Sequence, residues 1–289
     1  MILITGAAGK TGKAILQALR RQGASEEPAR RAFVRRSEQG AEVRQAGATD
    51  VVAGDLRNDA DLARACQGVQ AIYHICPNMQ PDEVAIGRAV LTAAQAQGVS
   101  RFVYHSVLHP QTPTMPHHWQ KLQVEDLLFQ TKLDYTILQP AVYLQNLLAG
   151  WPTIVNEGVY RVPYAVTTRL GMVDLADVAA VAALVLTTPG HSGATYELAG
   201  SELLSQTAVA AILSDTLGRP VRAQAIPRAT WEANARHAGL NDYAIQTLLH
   251  MFAYYERYGF GGNPNVLRWL LGRPPTTLAE FTRHHMVEG

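Results

Sequence analysis

The first half of the chain alternates short apolar runs with longer stretches in which apolar residues recur every three or four positions. A run of three to five apolar residues is typical of a strand buried on both faces, whereas the longer period is typical of a helix. The runs predict strands over residues 1–4, 31–34, 51–53, 71–75, 101–105 and 134–138. The periodic stretches between them predict helices over residues 13–21, 58–66, 82–97 and 117–130.

Strands that alternate with helices predict an α/β fold, a Rossmann-type doubly wound parallel sheet with right-handed crossovers. After about residue 151 the segments become shorter, so we expect a first domain over residues 1–150 and a smaller C-terminal α/β lobe over residues 151–289. A helix over 174–187 and a strand over 194–198 predict that residues 173–200 return to the main sheet. Other elements of the lobe are expected over residues 205–217, 221–226, 230–238, 242–258 and 276–285.

Composition removes several classes of function. Apolar residues make up 47% of the 289 residues, which is enough for a substantial core, and the net charge of +1 gives no reason to expect a nucleic acid or an anionic membrane as partner. The two cysteines form neither a disulfide framework nor a metal-ligand set, so no metal site is expected. No apolar run is long enough to cross a membrane, and the first strand begins at residue 1, so we expect a cytoplasmic protein without a signal peptide.

The turn between the first strand and the first helix has glycines at every third position, Gly6, Gly9 and Gly12. Gly6 allows a tight turn, Gly9 lets a ligand approach the backbone, and Gly12 lets the helix pack close to the strand. The start of the helix offers unpaired N–H groups and the positive end of its dipole, which suit a pyrophosphate. Because the turn lies between a strand and a helix, it predicts a dinucleotide site rather than an ordinary βα turn.

The end of the second strand bears on the choice of dinucleotide. An NAD site usually has an acidic residue about 20 residues beyond the glycines, but Arg35 and Arg36 follow the strand here. An arginine can bind a 2′-phosphate through two hydrogen bonds, so NADP(H) is favoured over a solvated basic turn. At the end of the third strand, Asp55 has two interpretations of equal weight, an edge against adenine or an N-cap for the turn into residues 58–66.

Polar residues after the fourth and fifth strands form a second candidate site. Pro77 follows the fourth strand, where it would border a cofactor or simply end the strand. Ser106 ends the fifth strand, and His117 and Lys121 lie one helical turn apart in the next helix. In a reductase Ser106 would donate to the substrate oxygen, His117 or His118 would act as the acid, and Lys121 would supply positive charge near the nicotinamide ribose. The alternative is that the histidines cap the helix and that the lysine is solvated.

Several stretches resemble the NmrA-like group of atypical short-chain dehydrogenases/reductases over nearly the whole chain. They are residues 5–12, 33–35, 54–56, 101–106, 135–141, 173–177 and 196–200. The resemblance implies a Rossmann domain that binds NADP(H), with NAD(H) as the alternative, and a C-terminal lobe that closes over a substrate cleft.

The same resemblance implies a set of cofactor contacts. The phosphate loop would be Gly6, Ala8, Gly9, Lys10, Thr11 and Gly12. Arg35, together with Arg36, would contact the 2′-phosphate, and Asp55 and Leu56 would lie at the adenine edge. The nicotinamide side would comprise Pro77, Ser106, Lys121, Pro140, Ala141 and Tyr143.

One departure from the group keeps two functions open. The usual catalytic motif is Tyr-x-x-x-Lys, and here His117 stands in the tyrosine position. The first hypothesis is an NADP(H)-dependent oxidoreductase that transfers hydride to a small aromatic, quinone or enone-type acceptor. The second is an inactive NADP(H)-binding redox sensor that acts through a regulatory protein partner, and a nucleotide-sugar epimerase fits less well. The chain is expected to be a monomer or a homodimer.

Overall fold

The computed structural model describes residues 1–21 and 28–287, and the elements below are those of this part of the chain. The strands are β1 (Ile2–Ile4), β2 (Arg30–Val34), β3 (Asp50–Ala53), β4 (Ala71–His74), β5 (Arg101–His105), β6 (Asp134–Pro140), β7 (Val142–Tyr143), β8 (Val159–Val162), β9 (Arg169–Val173), β10 (Ala194–Leu198), β11 (Leu203–Ser205) and β12 (Arg222–Ala225). The α-helices are α1 (Lys10–Arg21), α2 (Gly40–Ala46), α3 (Asp59–Cys66), α4 (Glu83–Ala96), α5 (Pro116–Phe129), α6 (Trp151–Glu157), α7 (Leu175–Thr187), α8 (Gln206–Leu217), α9 (Arg228–His237), α10 (Asp242–Tyr258), α11 (Asn265–Leu271) and α12 (Leu278–Val287). Two 3₁₀ helices cover Ser37–Gln39 and Leu144–Gly150.

The chain forms two compact units. The first unit comprises Met1–Gln111, His118–Gln139 and Val178–Tyr196. The second comprises Thr112–His117, Pro140–Asp177 and Glu197–Gly289. The expected domains over residues 1–150 and 151–289 stay a prediction, because a compact unit need not fold by itself, and residues 288 and 289 lie outside the described part.

A seven-stranded sheet organises the first unit, with the strand order β10-β6-β5-β4-β1-β2-β3. The pairs of β1 with β2 and β4, of β2 with β3, and of β4 with β5 and β5 with β6 are all parallel. The order reverses between β1 and β4, and such a reversal places a ligand crevice at the carboxyl ends of the strands. The predicted doubly wound sheet is confirmed, and β10 joins it beside β6 as expected for residues 194–198.

The core of the first unit explains why the short apolar runs became central strands. Leu3, Ile72 and Phe102 on β1, β4 and β5 have no exposed surface, and they cluster with Leu62 of α3 and Ile86 of α4. Each such side chain contributes roughly 1.5–3 kcal/mol through removal from water. The apolar stripes of the helices therefore hold one face of the sheet and leave its carboxyl edge for polar residues.

The second unit is built from two small sheets and several helices. A three-stranded sheet has the order β11-β9-β7, and β12 pairs in parallel with β8. The buried carboxylate of Asp177 accepts hydrogen bonds from Arg273 at 2.5 Å and from the backbone of Thr276 at 2.6 Å, which ties the segment before α12 to the start of α7. None of the helices in the described residues is long and apolar enough to span a bilayer.

Candidate functional site

The turn between β1 and α1 adopts the tight conformation that its glycines predict. Gly6 has a φ of +60°, and its carbonyl accepts a hydrogen bond from the Gly9 backbone at 3.0 Å. A Cβ on Gly12 would lie 2.5 Å from the Gly6 oxygen and 2.6 Å from the Ala7 Cα, closer than real side chains approach. Gly12 therefore allows the close contact of α1 with the turn. The helix begins at Lys10, three residues before the predicted start, because the Gly9 carbonyl already accepts from Lys13.

The outer side of the turn is open at Gly9. A Cβ there would meet only the Gly6 oxygen, at 3.2 Å, and Gly9 and Lys10 are exposed. Ala8 and Thr11 are half-buried beside them. A cradle of backbone N–H groups at the start of a twelve-residue helix, with space that a side chain would fill, fits a pyrophosphate.

The ends of β2 and β3 lie next to each other. The Gly54 backbone donates to the Val34 carbonyl at 2.9 Å, and Arg35 and Arg36 are exposed immediately after β2. The guanidinium of Arg35 has no hydrogen bond or ion pair with the residues that the structure describes. Two arginines at this position can present donors to a phosphate without first breaking a protein contact.

The structure decides between the two interpretations of Asp55 as far as helix capping is concerned. Asn58 is the N-cap of α3, and its side chain accepts from the Asp61 backbone at 3.0 Å. The Asp55 carboxylate accepts from the Arg57 backbone at 3.0 Å, and its carbonyl accepts from the Asn58 backbone at 3.0 Å, so Asp55 holds the turn that leads into α3. Leu56 is buried in the core, and the adenine edge stays a prediction.

Eight buried polar side chains lie at the carboxyl ends of four neighbouring strands and on the two helices that follow β4 and β5. We call them the polar band: Thr5, His74, Glu83, Tyr104, Ser106, Lys121, Glu125 and Gln139. Buried polar groups are costly unless they are hydrogen-bonded, so a cluster of this size beside a ligand crevice indicates a functional site.

Lys121 lies at the centre of the polar band. Its Nζ donates to Glu83 Oε1 at 2.5 Å and to the His105 carbonyl at 3.1 Å, and it stands 5.3 Å from the centre of the Tyr104 ring. The Tyr104 hydroxyl also donates to Glu83, at 3.1 Å. Two of the three ammonium donors are thus used, and the third has no acceptor among the described residues. The alternative of a solvated lysine is wrong, because Lys121 is buried and paired.

Ser106, Glu125 and Gln139 form the second part of the polar band. The Ser106 hydroxyl is hydrogen-bonded to Glu125, and Gln139 Nε2 donates to both oxygens of the same carboxyl, at 2.9 and 3.1 Å. All three are buried, and no cation is hydrogen-bonded to the Glu125 carboxyl among the described residues. Burial raises the pKa of Glu125, against the opposing effect of the bonds from Ser106 and Gln139.

Two buried histidines lie at the same end of the sheet. His74 Nδ1 is 2.9 Å from the Thr5 hydroxyl, and its ring stacks on Tyr104. His105 Nδ1 is 2.6 Å from the Tyr73 hydroxyl. Burial, with the nearby charge of Lys121, lowers the pKa of each imidazole to about 3, so both are neutral at physiological pH.

The remaining predicted residues are distributed between the two units. Pro77 is exposed in the first unit, three residues beyond the end of β4. His117 is buried and belongs to the second unit, as do Pro140, Ala141 and Tyr143; the Ala141 backbone donates to the Leu198 carbonyl at 3.0 Å. Burial lowers the pKa of His118 to about 4, so this imidazole is uncharged at neutral pH and is not available there as an imidazolium acid.

Sequence reasoning identified Ser106 and Lys121 and missed the other six members of the polar band. These are Thr5, His74, Glu83, Tyr104, Glu125 and Gln139. One signal was available, because His117, Lys121 and Glu125 recur at four-residue spacing along α5 and so share one helical face. Nothing comparable marks Glu83, which begins α4 as an ordinary acidic residue in a first helical turn.

The chain is similar to characterised bacterial reductases over its whole length. It is 30% identical over 292 residues to the NAD(P)H azoreductase of Xenophilus azovorans, and the alignment covers 99% of this chain and 98% of that protein. It is 31% identical over 284 residues to quinone oxidoreductase 2 of Escherichia coli strain K12, with 98% of both chains covered.

Solved structures agree with the fold. The crystal structure of the NADPH-dependent quinone oxidoreductase of Escherichia coli, complexed with NADPH, has a TM-score of 0.86 and 30% identity, and covers 99% of this chain and all of the other. That relative contains the cofactor predicted for this chain from the sequence. The triphenylmethane reductase of Citrobacter sp. shares the fold, with a TM-score of 0.85 at 23% identity and 99% of each chain covered.

The family predicted from the sequence motifs is confirmed by the extent of the family match. Residues 1–282 match the NmrA-like family, so the match includes both the glycine turn and the polar band. The chain belongs to the NmrA-like family.

Proposed function

We propose that the protein is an NADP(H)-dependent oxidoreductase that reduces a small conjugated acceptor, a quinone or an azo compound. The observation that carries this proposal is the glycine turn, which is closed against the sheet at Gly12 and open to a ligand at Gly9. The full-length similarity to an azoreductase and a quinone oxidoreductase supports the acceptor class.

The residues that would hold the dinucleotide lie at the ends of β1, β2 and β3. Residues 6–12 would bind the pyrophosphate through backbone N–H groups, and Arg35, with Arg36, would bind the 2′-phosphate. Asp55 and Leu56 would border the adenine. The bound cofactor supplies a hydride, and the protein supplies binding and orientation.

Lys121 would orient the nicotinamide ribose through its third N–H donor. Glu83 and the His105 carbonyl fix the other two, so the ammonium points in one direction. Because Glu83 balances its charge, Lys121 acts here as a positioned hydrogen-bond donor more than as a source of net positive field. Ser106 would donate to the acceptor atom, with His117 as a second candidate acid. Pro77, Pro140, Ala141 and Tyr143 would border the nicotinamide.

The experiment is a steady-state assay of NADPH oxidation with a panel of quinones and azo dyes. Wild type is compared with the double variant Lys121→Met/Glu83→Gln, which removes the ammonium without leaving a buried unpaired carboxylate. Lys132→Ala, an exposed lysine in the same unit, is the control. We expect wild type and control to turn over at least one acceptor and the double variant to lose most of its kcat/KM. No turnover by wild type on any acceptor would contradict the proposal.

The sensor hypothesis is supported by one observation, the histidine in place of the usual catalytic tyrosine. A sensor would bind NADP(H) without turnover and would capture a protein partner only in one state of occupancy. A pull-down with and without NADP tests this: an occupancy-dependent partner, together with no turnover, would favour the sensor over the reductase.

A further inference from the structure

We infer that Glu125 stores the proton that Ser106 delivers to the acceptor, so that the two side chains form a two-step proton relay. The inference rests on the proposed reductase function and deepens it, because it names the source of the proton that must accompany the hydride. It makes Ser106 the catalytic residue that touches the acceptor and Glu125 a positioning residue that acts through it.

The Glu125 carboxyl has no charged hydrogen-bond partner among the described residues. It lies on α5, buried beneath the ends of β5 and β6, and its hydrogen-bonded side-chain partners, Ser106 and Gln139, are both neutral. The titratable groups that face it are Lys121, one turn earlier on α5, and Tyr104 on β5. The lysine already forms an ion pair with Glu83 of α4. Burial favours the protonated form of this carboxyl and outweighs the hydrogen bonds from Ser106 and Gln139 and the charge of Lys121, which favour the ionised form.

The direction of the hydrogen bond between Ser106 and Glu125 depends on whether the carboxyl is protonated. When the carboxyl is ionised it can only accept, so the serine hydroxyl must donate to it and has no proton for another acceptor. When the carboxyl is protonated it can donate to Ser106 Oγ, and the serine hydrogen is then free to point elsewhere. The protonation of Glu125 therefore decides whether Ser106 can act as a donor.

Gln139 fixes the orientation of the Glu125 carboxyl. Its amide contacts both oxygens of Glu125, which holds the carboxyl plane in one orientation toward Ser106. Ser106 is itself fixed by its backbone N–H, which donates to the Leu138 carbonyl at 2.8 Å. The donor and the proton store are thus positioned before any ligand binds.

The balance of the reaction is complete. The bound dinucleotide would supply the hydride. The oxygen or nitrogen of the acceptor that becomes negative would then take the proton of the Ser106 hydroxyl. As that O–H bond breaks, Ser106 Oγ takes the proton of the Glu125 carboxyl. Glu125 is left as a carboxylate and regains a proton from water before the next turnover.

The test compares Glu125→Gln with Asp126→Asn, the same chemical change one residue later on the exposed side of α5. Glutamine keeps a hydrogen bond to Ser106 but holds no exchangeable acid. We expect kcat of wild type and of Asp126→Asn to fall as pH rises through the pKa of Glu125, and Glu125→Gln to lose this limb together with about 10²-fold in kcat. The double variant Glu125→Gln/Ser106→Ala should be no slower than Ser106→Ala, because both residues act in one path.

A second readout does not depend on turnover. The infrared difference spectrum between wild type and Glu125→Gln should contain the C=O band of a buried protonated carboxyl at neutral pH. Three results would overturn the relay: absence of that band, an unchanged pH profile, or additive effects of the two substitutions. If wild type still turns over an acceptor, the proposed function stands without the relay. No wild-type turnover on any acceptor would contradict the proposed function, and the relay with it.

Discussion

The glycine turn and the polar band both lie at the carboxyl ends of strands of one sheet, but the first is built from backbone and the second from side chains. The turn depends on residues within seven positions of one another, and its shape follows from the absence of Cβ atoms. The band depends on contacts between residues far apart in the chain, 69 positions for Thr5 and His74 and 38 positions for Lys121 and Glu83. Local backbone chemistry can therefore be recognised from sequence, whereas a network assembled by the fold cannot.

The largest expected effect tests whether the polar band is held by its charges. Glu83→Ala would leave the buried Lys121 ammonium without its ion pair, and we expect a loss of about 3–5 kcal/mol in the free energy of unfolding, measured by denaturant titration. Glu42→Ala, which breaks the exposed pair with Lys13, is the matched control and should cost less than about 1 kcal/mol. Equal effects of the two substitutions would show that the buried pair is not structural.

The next prediction concerns the arginine that distinguishes the two dinucleotides. Arg35→Asp should weaken NADPH binding by roughly 2–3 kcal/mol, because it removes a charged hydrogen bond, and should change NADH binding much less. Calorimetric titration with both cofactors measures this, and Arg36→Ala reports whether the second arginine shares the phosphate. Equal weakening for the two cofactors would remove Arg35 from the phosphate site.

A third prediction separates the two functions of the glycines. Gly12→Ala should lower stability by about 1–3 kcal/mol, because its Cβ would overlap the backbone of the turn. Gly9→Ala should cost less stability than Gly12→Ala, because its Cβ would meet only the Gly6 oxygen, at 3.2 Å, and it should still weaken dinucleotide binding. Gly150→Ala, at a position with no atom within 4 Å, is the control. A stability loss in Gly9→Ala like that in Gly12→Ala would show that the turn has no open side.

The smallest expected effect is the change in stability between pH 7 and pH 6 that the buried histidines cause. The folded-state pKa of His74, about 3, lies below its ordinary value of 6.5, so the unfolded chain binds the proton more readily and stability falls as pH drops below 6.5. His74 lowers the free energy of unfolding by roughly 1 kcal/mol at pH 6, and this loss grows down to about pH 3. His74→Asn should reduce the slope of stability against pH in this window, whereas His250→Asn, at an exposed position, serves as the control. An unchanged slope in His74→Asn would contradict the neutral, buried state of this ring.

The sheet could be predicted from the sequence because its central strands are buried on both faces and carry uninterrupted apolar runs. The same reasoning missed α2, a seven-residue helix that begins at Gly40 and buries Val43, because so short a segment has almost no periodic signal. It also missed the small strands β7, β8, β9 and β11, whose pairing depends on residues distant in the chain.

In the candidate site, the residues of the glycine turn were more predictable than those of the polar band. Gly6, Gly9, Gly12 and Arg35 could be identified because spacing from one strand determines their place. Ser106 and Lys121 were identified as candidates, but their partners were not, since no spacing rule connects Lys121 to Glu83, which lies 38 positions earlier. The charge balance at Lys121 and the neutral environment of Glu125 are consequences of folding.

The claim on which the account depends is that the open side of the glycine turn binds NADP(H). Calorimetric titration of NADPH and NADH into the wild-type protein and into Gly9→Val tests it most directly. We expect saturable binding to wild type, tighter for NADPH than for NADH, and loss of this binding in Gly9→Val. No heat with either dinucleotide up to its solubility limit, or equal binding by the variant, would contradict it.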